Sequence, residues 1–290
     1  MRQWVVLSGK GGTGKTSLLA SFARLAGRLV LADADVDAAN LALALGAHDP
    51  RGEGFDSGSR ARIDPERCTA CGDCLEVCRY EAIREASPAF TTDDLLCEGC
   101  NACGVICPES AVTLVPNRAG ELLESETPYG PLVHAELDIA QDNSGKLVAG
   151  VIERARQRAA EQEIDLVLVD GPPGIGCPVH AAVSTAQRIL AVTEPTVSGH
   201  HDLERLLELA VHFKLPAGVA INRWDVAPDQ AERIAALCTE HGVPLLGRIP
   251  FDRELPLGLC RGQHPLDAAG PETAAAIQAL WEAWSAPDGR

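Results

Sequence analysis

The sequence predicts an α/β fold in which a mostly parallel sheet is flanked by helices, with a small second module inserted into it. Three observations support this prediction. Short runs rich in Val, Ile and Leu alternate with longer segments in which apolar residues recur every three or four positions. A glycine-rich segment directly follows the first of these runs. The alternation is interrupted by a segment that contains eight closely spaced cysteines.

The apolar runs are the predicted strands. Parallel strands are buried on both faces and therefore read as nearly continuous apolar runs. They are predicted at Trp4–Ser8, Arg28–Ala32, Ile164–Val169, Ile189–Thr193, Gly218–Asn222 and Pro244–Ile249. The helices between them are predicted at Lys15–Ala26, Ser144–Gln162, Asp202–Phe213, Asp229–His241 and Glu272–Trp284. A further pair of strands is predicted within Leu122–Leu137, around the turn residues Tyr129, Gly130 and Pro131.

Composition narrows the class of protein. The chain has 290 residues and a formal net charge of -16, which argues against nucleic acid as a partner because phosphate binding needs a basic face. No run approaches the roughly 18 apolar residues that a membrane span needs. The N-terminus enters an apolar strand without a basic segment or cleavage site, so we expect a cytoplasmic protein without membrane attachment.

The glycine-rich segment GKGGTGKT lies between the first predicted strand and the first predicted helix. Backbone N–H groups at a helix N-terminus favour anions, so this arrangement predicts a phosphate-binding loop of the P-loop NTPase type. Lys15 would reach the β- and γ-phosphates, and the Thr16 hydroxyl would bind Mg²⁺. The predicted nucleotide-binding residues of the loop are Gly9, Lys10, Gly11, Gly12, Thr13, Gly14, Lys15, Thr16 and Ser17.

The second lysine of this loop, Lys10, makes the segment resemble the MinD, ParA, Mrp and nitrogenase iron-protein superfamily of ATPases with a deviant Walker A motif. The resemblance covers nearly the whole chain outside the cysteine-rich insert. It implies that two subunits sandwich two ATP molecules, with Lys10 of one subunit approaching the phosphates bound by the other. A homodimer formed on ATP binding is therefore expected, with Lys10, Lys15 and Asp35 as the catalytic residues.

Carboxylates follow the second predicted strand, where Asp33, Asp35 and Asp37 arrive at the carboxyl edge of the sheet. The resemblance implies that Asp33 acts near Mg²⁺ and that Asp35 positions the attacking water. Asp37 is either part of this switch or a solvated turn residue. Asp170, at the end of the run IDLVLVD, resembles the residue that holds the Mg²⁺ shell through water.

Two further segments resemble moving or nucleotide-binding parts of the superfamily. Gly171–Gly176 is similar to a switch loop that responds to the γ-phosphate. Asn222, at the end of the strand GVAIN, resembles the residue that recognises adenine, and Arg223 follows it. The alternative for Asn222 is an ordinary turn residue at the end of a strand.

The cysteine-rich segment is interpreted as an inserted domain over 61–116, which divides an ATPase domain into 1–60 and 117–290. Residues 50–60, rich in Gly, Ser and charge, are predicted to be a linker. The two halves of the insert repeat each other, because Cys68–Cys78 and Cys97–Cys107 share one spacing at a distance of 29 residues. An internal duplication is the simplest explanation.

Each half contains the pattern C-x2-C-x2-C-x3-C, which is typical of bacterial ferredoxins with two 4Fe-4S clusters. In that arrangement the fourth ligand of each cluster comes from the other run. The predicted ligand sets are Cys68, Cys71, Cys74 with Cys107, and Cys97, Cys100, Cys103 with Cys78. Zinc is the alternative, but a zinc ribbon needs only four thiolates in two separated pairs. Arg79 stands where proline usually follows the run, as Pro108 does in the second half.

The remaining candidate ligands have weaker patterns. Cys238 and Cys260 have no partner spacing and are interpreted as structural. Cys177 resembles one of two cluster ligands of the nitrogenase iron protein, but the other has no counterpart here, so a bridging cluster and a plain cysteine both stay open. His200 and His201 are expected to be solvated or capping residues rather than metal ligands.

The whole pattern most closely resembles MinD-superfamily ATPases with an inserted ferredoxin domain, including the segments GPPGIGCPV, TEPTVSGHHDLERL and NSGKLV. The expected cofactors are two 4Fe-4S clusters, ATP or ADP, and Mg²⁺. Three functions stay open: an ATP-gated electron carrier, an ATP-dependent cluster carrier or assembly factor, and a MinD/ParA-like positioning ATPase that uses the module for docking or redox sensing. The absence of a C-x-x-C motif near the C-terminus weighs against the second. By resemblance, a small molybdenum-cofactor-binding-like protein is an expected partner.

Overall fold

The computed structural model describes residues 1–138 and 145–286. The chain forms two compact units. The first unit comprises Met1–Glu53, Leu122–Glu136 and Asn143–Arg290, and the second comprises Gly54–Glu121 and Leu137–Asp142.

Strands and helices alternate over most of the described chain. The strands are β1 (Arg2–Ser8), β2 (Val30–Asp33), β3 (His48–Ile63), β4 (Ile83–Glu85), β5 (Phe90–Thr92), β6 (Val112–Thr127), β7 (Gly130–Leu137), β8 (Leu166–Pro173), β9 (Arg188–Thr193), β10 (Ala217–Asn222) and β11 (Leu245–Ile249). The helices are α1 (Lys15–Ala26), α2 (Leu41–Leu45), α3 (Asp73–Val77), α4 (Ala102–Ile106), α5 (Gly145–Glu161), α6 (Cys177–Val183), α7 (Val197–Phe213), α8 (Pro228–Glu240), α9 (Glu254–Cys260), α10 (Pro265–Ala268) and α11 (Pro271–Ser285). None of the described helices is long and apolar enough to cross a membrane.

The main sheet has the strand order β11-β10-β9-β1-β8-β2-β7-β6-β3. The pairs from β11 to β7 along this order are parallel, as the apolar runs predict. The strand β1 lies between β8 and β9, and β8 lies between β1 and β2. Because parallel strands end at one edge, the segments that follow β1, β2 and β8 converge there.

An aromatic cluster holds two helices of the first unit against the centre of the sheet. Trp4 of β1 lies 5.3 Å from Trp284 of α11, measured between ring centroids, and Phe22 of α1 lies 5.3 Å from Trp281 of α11. Trp4, Phe22 and Trp284 are buried. Tilted aromatic pairs of this kind add to the stabilisation from burial, so α1 is fixed behind the glycine-rich loop.

The observed elements confirm most of the prediction and correct one part of it. The helix α1 has the predicted bounds, and the predicted pair of strands is found in β6 and β7, which are joined by a two-residue turn. The predicted linker at 50–60 is wrong, because these residues lie in β3, next to β6 at the edge of the sheet. An edge strand tolerates Gly, Ser and charged residues, so it lacks the apolar run of a central strand.

Some details lay outside the prediction. The short helices α2, α6, α9 and α10 have at most seven residues and were not predicted. The helix α7 begins at Val197, earlier than predicted, because the Thr196 hydroxyl caps it by accepting a hydrogen bond from Gly199 N. Asn143 and Ser144 of the NSGKLV segment lie outside the described residues, and so does the first residue of the predicted helix Ser144–Gln162.

The second unit repeats its backbone conformation at the spacing of its cysteines. The helices α3 and α4 begin at positions 29 residues apart, 73 and 102. Positive φ angles recur at the same offset, in the pairs Ala70 (54°) and Gly99 (63°), Gly72 (91°) and Asn101 (65°), and Glu81 (52°) and Ser110 (49°). Three left-handed residues at matched positions show that the two halves adopt one local structure.

The two halves also exchange matched hydrogen bonds. Asp64 N donates to Ala111 O at 2.8 Å, and Asp93 N donates to Ala82 O at 2.7 Å. The strands β4 and β5 form a separate antiparallel pair. The buried cluster of this unit consists of Ala61, Cys74, Ile83 and Cys103. Half of these residues are cysteines, and the partly buried Ile63, Phe90 and Val112 pack against them.

Candidate functional site

The loop between β1 and α1 has the shape that phosphate binding requires. Gly12 and Gly14 have positive φ angles of 81° and 89°, and α1 begins at Lys15 directly after Gly14. A Cβ at Gly14 would lie 2.4 Å from Asn222 Nδ2, so no larger residue fits. That Nδ2 donates to Thr13 O at 2.8 Å. The end of β10 is thereby fixed to the loop.

Lys15 lies among carboxylates at the edge where β1, β2 and β8 end. Its Nζ is 2.7 Å from Asp170 Oδ1 and 3.2 Å from Asp35 Oδ2. Burial by itself lowers the pKa of Lys15, but Asp170 and Asp35 outweigh it, and the net effect raises the pKa. The lysine is therefore charged and points to the place where phosphate oxygens would compete for it.

The predicted magnesium residues are brought together. Thr16 Oγ1 donates to Asp170 Oδ2 at 2.6 Å. The Asp33 carboxylate accepts hydrogen bonds from Asp35 N at 3.2 Å and from Leu41 N at 3.0 Å. Burial and then the charge of Asp170 raise the pKa of Asp33 to about 8. Such a carboxyl group would ionise when a divalent cation is bound nearby.

Asp35 has an unsatisfied oxygen at this site. Its Oδ1 is buried and has no hydrogen-bond partner among the residues that the structure describes. Burial, opposed by Lys15, raises the pKa of Asp35. An orphaned buried acceptor fits the predicted role of positioning a water molecule. Asp37 is an exposed turn residue, in line with the solvated-turn alternative, and it also lines the cleft.

Lys10 lies outside this carboxylate group. Its Nζ is 3.5 Å from Glu194 Oε2, 3.5 Å from Thr196 Oγ1 and 3.4 Å from Ser198 Oγ, all of the same chain. About a third of the Lys10 side chain is exposed. The same Glu194 also pairs with Arg223 through its other oxygen. These long contacts hold Lys10 loosely.

A cleft of about 530 Å³ is enclosed by the loop, by Asp35 and by Arg223. Its far side is formed by Leu259, Gly262 and Gln263, from the end of α9 and the turn after it. Sequence reasoning missed these three residues, because no motif distinguishes them. A second cleft, of about 470 Å³, lies where β9, β10 and β11 begin, and it contains none of the predicted site residues.

Comparisons with known proteins agree with this geometry. Residues 4–266 match the family model described as the CobQ/CobB/MinD/ParA nucleotide binding domain. The chain belongs to this family. It is therefore a P-loop ATPase.

Proteins similar to this ATPase are found in several organisms. An uncharacterised protein of Methanocaldococcus jannaschii is 34% identical over 221 residues, which cover 75% of this chain and 76% of that protein. The septum site-determining protein MinD of Synechocystis sp. is 24% identical over 274 residues, covering 89% of this chain and 79% of that protein. The structure of the Pyrococcus furiosus cell division ATPase MinD has a TM-score of 0.57 at 22% identity and covers 97% of both chains, which supports the fold.

The second unit of the ATPase contains two cavities lined by cysteines. One is lined by Cys68, Cys71, Cys74 and Cys107, and the other by Cys78, Cys97, Cys100 and Cys103. Each cavity has a volume of about 20 Å³ and is partly open to solvent. The cysteines are thus grouped in the two sets that the spacing predicts.

Backbone donors point at the sulfur atoms. Ala61 N donates to Cys97 Sγ at 3.4 Å, and Ala111 N donates to Cys107 Sγ at 3.3 Å. In the described part of the chain, no group of three or more His, Cys, Asp or Glu side chains is placed to hold a single metal ion. A 4Fe-4S cluster binds its four thiolates at separate corners, so its ligands lie farther apart than those of one zinc ion.

The remaining cysteines and histidines that the sequence analysis considered as ligands lie outside both cavities. Cys177 is exposed at the start of α6, and Cys260 is exposed in α9. Cys238 is buried, which raises its pKa to about 11. His201 is largely exposed and lies beside Asp202. Thr196, rather than either histidine, caps α7.

Proposed function

We propose that this ATPase is an ATP-driven dimer switch that is coupled to electron transfer through two 4Fe-4S clusters to a protein partner. The observation that supports the clusters is the lining of the two cavities. Each is formed by three cysteines of one half of the second unit and one cysteine of the other. This exchange of the fourth ligand distinguishes a two-cluster ferredoxin module from two independent metal sites.

The residues present fit the proposed clusters. Burial raises the pKa of Cys74 and of Cys103, so a bound cation is needed to keep these groups as thiolates. The N–H groups of Ala61 and Ala111 donate to sulfur, and such bonds stabilise the reduced, more negative state of a cluster. When bound, the clusters supply one-electron redox chemistry. The insert is accordingly proposed to be a ferredoxin-like domain.

The nucleotide part of the proposal assigns one task to each side chain. The loop N–H groups and Lys15 bind the phosphates, while Thr16, Asp33 and Asp170 are placed to hold Mg²⁺. Asp35 would use its unsatisfied oxygen to position the attacking water. Lys10 would leave Glu194 and approach the nucleotide of a second subunit, neutralising charge in the transition state.

A second candidate function is a MinD-like positioning ATPase in which the cysteine unit serves for docking or redox sensing. The comparisons favour it, since the named relatives are septum site-determining and cell division proteins. A shorter match favours redox chemistry instead. It joins 60 residues of this chain, at 38% identity, to the indolepyruvate oxidoreductase subunit IorA of Methanothermobacter marburgensis.

The clusters are tested by metal analysis of anaerobically purified protein. We expect about eight iron and eight sulfide ions per chain, with about half of the iron lost in Cys107→Ser. The matched control is Cys177→Ser, which removes an exposed thiol outside both sets and is expected to keep all the iron. Stoichiometric zinc, or iron retained fully in Cys107→Ser, would contradict the proposal.

One variant distinguishes the two candidate functions. Lys15→Ala is expected to abolish ATP turnover. If ATP gates electron transfer, this variant should also deliver fewer electrons to the acceptor protein. Unchanged electron delivery by Lys15→Ala would favour the positioning function. Loss of iron from the holoprotein to an apo-acceptor in the presence of ATP would favour a cluster carrier instead.

A further inference from the structure

Because the second unit is duplicated, the surface residues of its two halves can be compared position by position. Positions that lie 29 residues apart have the same backbone conformation and the same hydrogen bonds. Equivalent side chains therefore occupy equivalent places on the two halves, and a systematic difference between them has no cause in the local fold.

Such a difference exists at five exposed or half-buried positions. The first half has charged residues where the second half has apolar ones. The equivalent pairs are Glu66 and Leu95, Arg67 and Leu96, Asp73 and Ala102, Glu76 and Val105, and Arg79 and Pro108. At these five positions the first half is charged and the second half is apolar.

Three of the apolar replacements are exposed, Val105 to 82%, Leu95 to 65% and Leu96 to 40%. Ile106 beside them is 48% exposed, and its equivalent in the first half is Val77. These four residues, here named the second-half face, lie on the loop and the helix α4 that enclose the cavity of Cys97, Cys100 and Cys103. Exposed aliphatic residues grouped at a functional centre indicate an interaction site.

The charges around the second-half face are acidic. The segment 93–112 contains Asp93, Asp94, Glu98 and Glu109 but neither Lys nor Arg. Asp93 and Asp94 pair with Arg84 and Arg62. Glu98 lines the cavity of Cys97, Cys100 and Cys103 and forms no ion pair with any residue that the structure describes. Glu109 lines the other cavity, where Arg67 donates a hydrogen bond to its backbone oxygen. Thr69 occupies the place of Glu98 in the first half, so this acid is particular to the second half.

We propose that the second-half face is the docking surface for a protein partner whose own contact face is apolar and rimmed by Lys and Arg side chains. The inference deepens the proposed function, because the cluster held by Cys97, Cys100, Cys103 and Cys78 would then be the one that exchanges electrons with this partner. An acidic rim repels nucleic acid and anionic lipid. The same acidic rim on a second copy of this chain disfavours contact between two such faces.

The test measures binding rather than electron transfer, so it does not depend on the redox proposal. The probe is oxidised cytochrome c, a basic protein with an exposed apolar haem edge, titrated calorimetrically at low ionic strength into the oxidised holoprotein. The test variant is Leu95→Gln/Val105→Gln. The matched control is Leu75→Gln/Val77→Gln, which makes the same kind of change at exposed aliphatic positions of the first half. Both variants are compared at wild-type iron content.

We expect the test variant to raise the Kd about tenfold and the control to change it less than about twofold. Equal effects of the two variants, or no binding by the unsubstituted protein, would overturn the proposal. Self-association of the holoprotein in sedimentation that the test variant abolishes would also overturn it, since a second copy would then be the occupant. Preserved docking without reduction of a small acceptor such as ferricyanide would instead refute the electron-transfer function alone.

Discussion

The nucleotide cleft and the cysteine-rich unit differ in what holds them together before a ligand binds. Around the cleft, Lys15 is already paired with Asp170 and Asp35, and the helix behind it is fixed by large buried aromatic residues. In the second unit, Cys74 and Cys103 make up half of the buried cluster. The first site is built from compensating charges, whereas the buried cluster of the second unit consists half of cysteines.

The difference has a physical origin. A buried, charged lysine among carboxylates is tolerated without ligand because the charges compensate each other. Eight thiols cannot compensate each other, since ionised thiolates repel and protonated thiols form weak hydrogen bonds. We therefore expect cluster binding to be part of the folding of the second unit, while nucleotide binding modulates a unit that is already folded.

Removing the proposed clusters is expected to have the largest effect. Chelation of iron should abolish the hydrogen-exchange protection of residues 64–112, by about a thousandfold or more, while β1 and β8 stay protected. Exchange measured by mass spectrometry resolves the two regions. Unchanged protection after complete loss of iron would show that the second unit folds without clusters.

Replacing Lys15 should damage both chemistry and stability. Lys15→Ala leaves the buried Asp170 without its cation, so the first unit should lose about 3–5 kcal/mol, and ATP turnover should fall about a thousandfold. Lys10→Ala serves as the control, because Lys10 has only loose contacts. It should reduce turnover without lowering the melting temperature. A large loss of stability in Lys10→Ala would contradict this distinction.

The buried carboxyl group of Asp33 predicts that the free energy of unfolding depends on pH. The pKa of Asp33 is raised to about 8, so between pH 4 and 8 the folded, metal-free protein binds a proton that the unfolded chain has released. The Asp33 contribution to the free energy of unfolding should therefore fall as the pH rises through this range, by about 1.4 kcal/mol at most for each pH unit. Urea titrations should show a flatter profile for Asp33→Asn. A profile as steep as that of the unsubstituted protein would refute the assignment.

The smallest expected effect concerns Glu194, whose carboxylate pairs with both Lys10 and Arg223. Glu194→Gln should raise the KM for ATP about threefold, because Arg223 lines the cleft and loses its anchor, and should change kcat by less than about twofold. Glu232→Gln breaks the ion pair with Arg248 and is the matched control. Equal KM values in the two variants would show that the pair with Arg223 is unimportant.

Much of the fold and of the candidate sites could be predicted from the sequence, since local patterns specify local structure. Gly14 and Gly27 bound α1, and the cysteine spacing predicts the grouping of thiols found in the two cavities. Edge strand β3 was missed because its residues lack an apolar pattern. The proximity of Lys10 to Glu194 and the closure of the cleft by Gln263 were missed because they arise from contacts between segments far apart in the chain.

The central claim is that ATP and the clusters are coupled. The most direct measurement is an EPR-monitored redox titration of anaerobically purified protein without nucleotide, with ADP, and with a non-hydrolysable ATP analogue. The account predicts a midpoint potential that differs between the nucleotide states, while Lys15→Ala gives one potential throughout. Superimposable titrations of the unsubstituted protein in all three states would contradict the coupling.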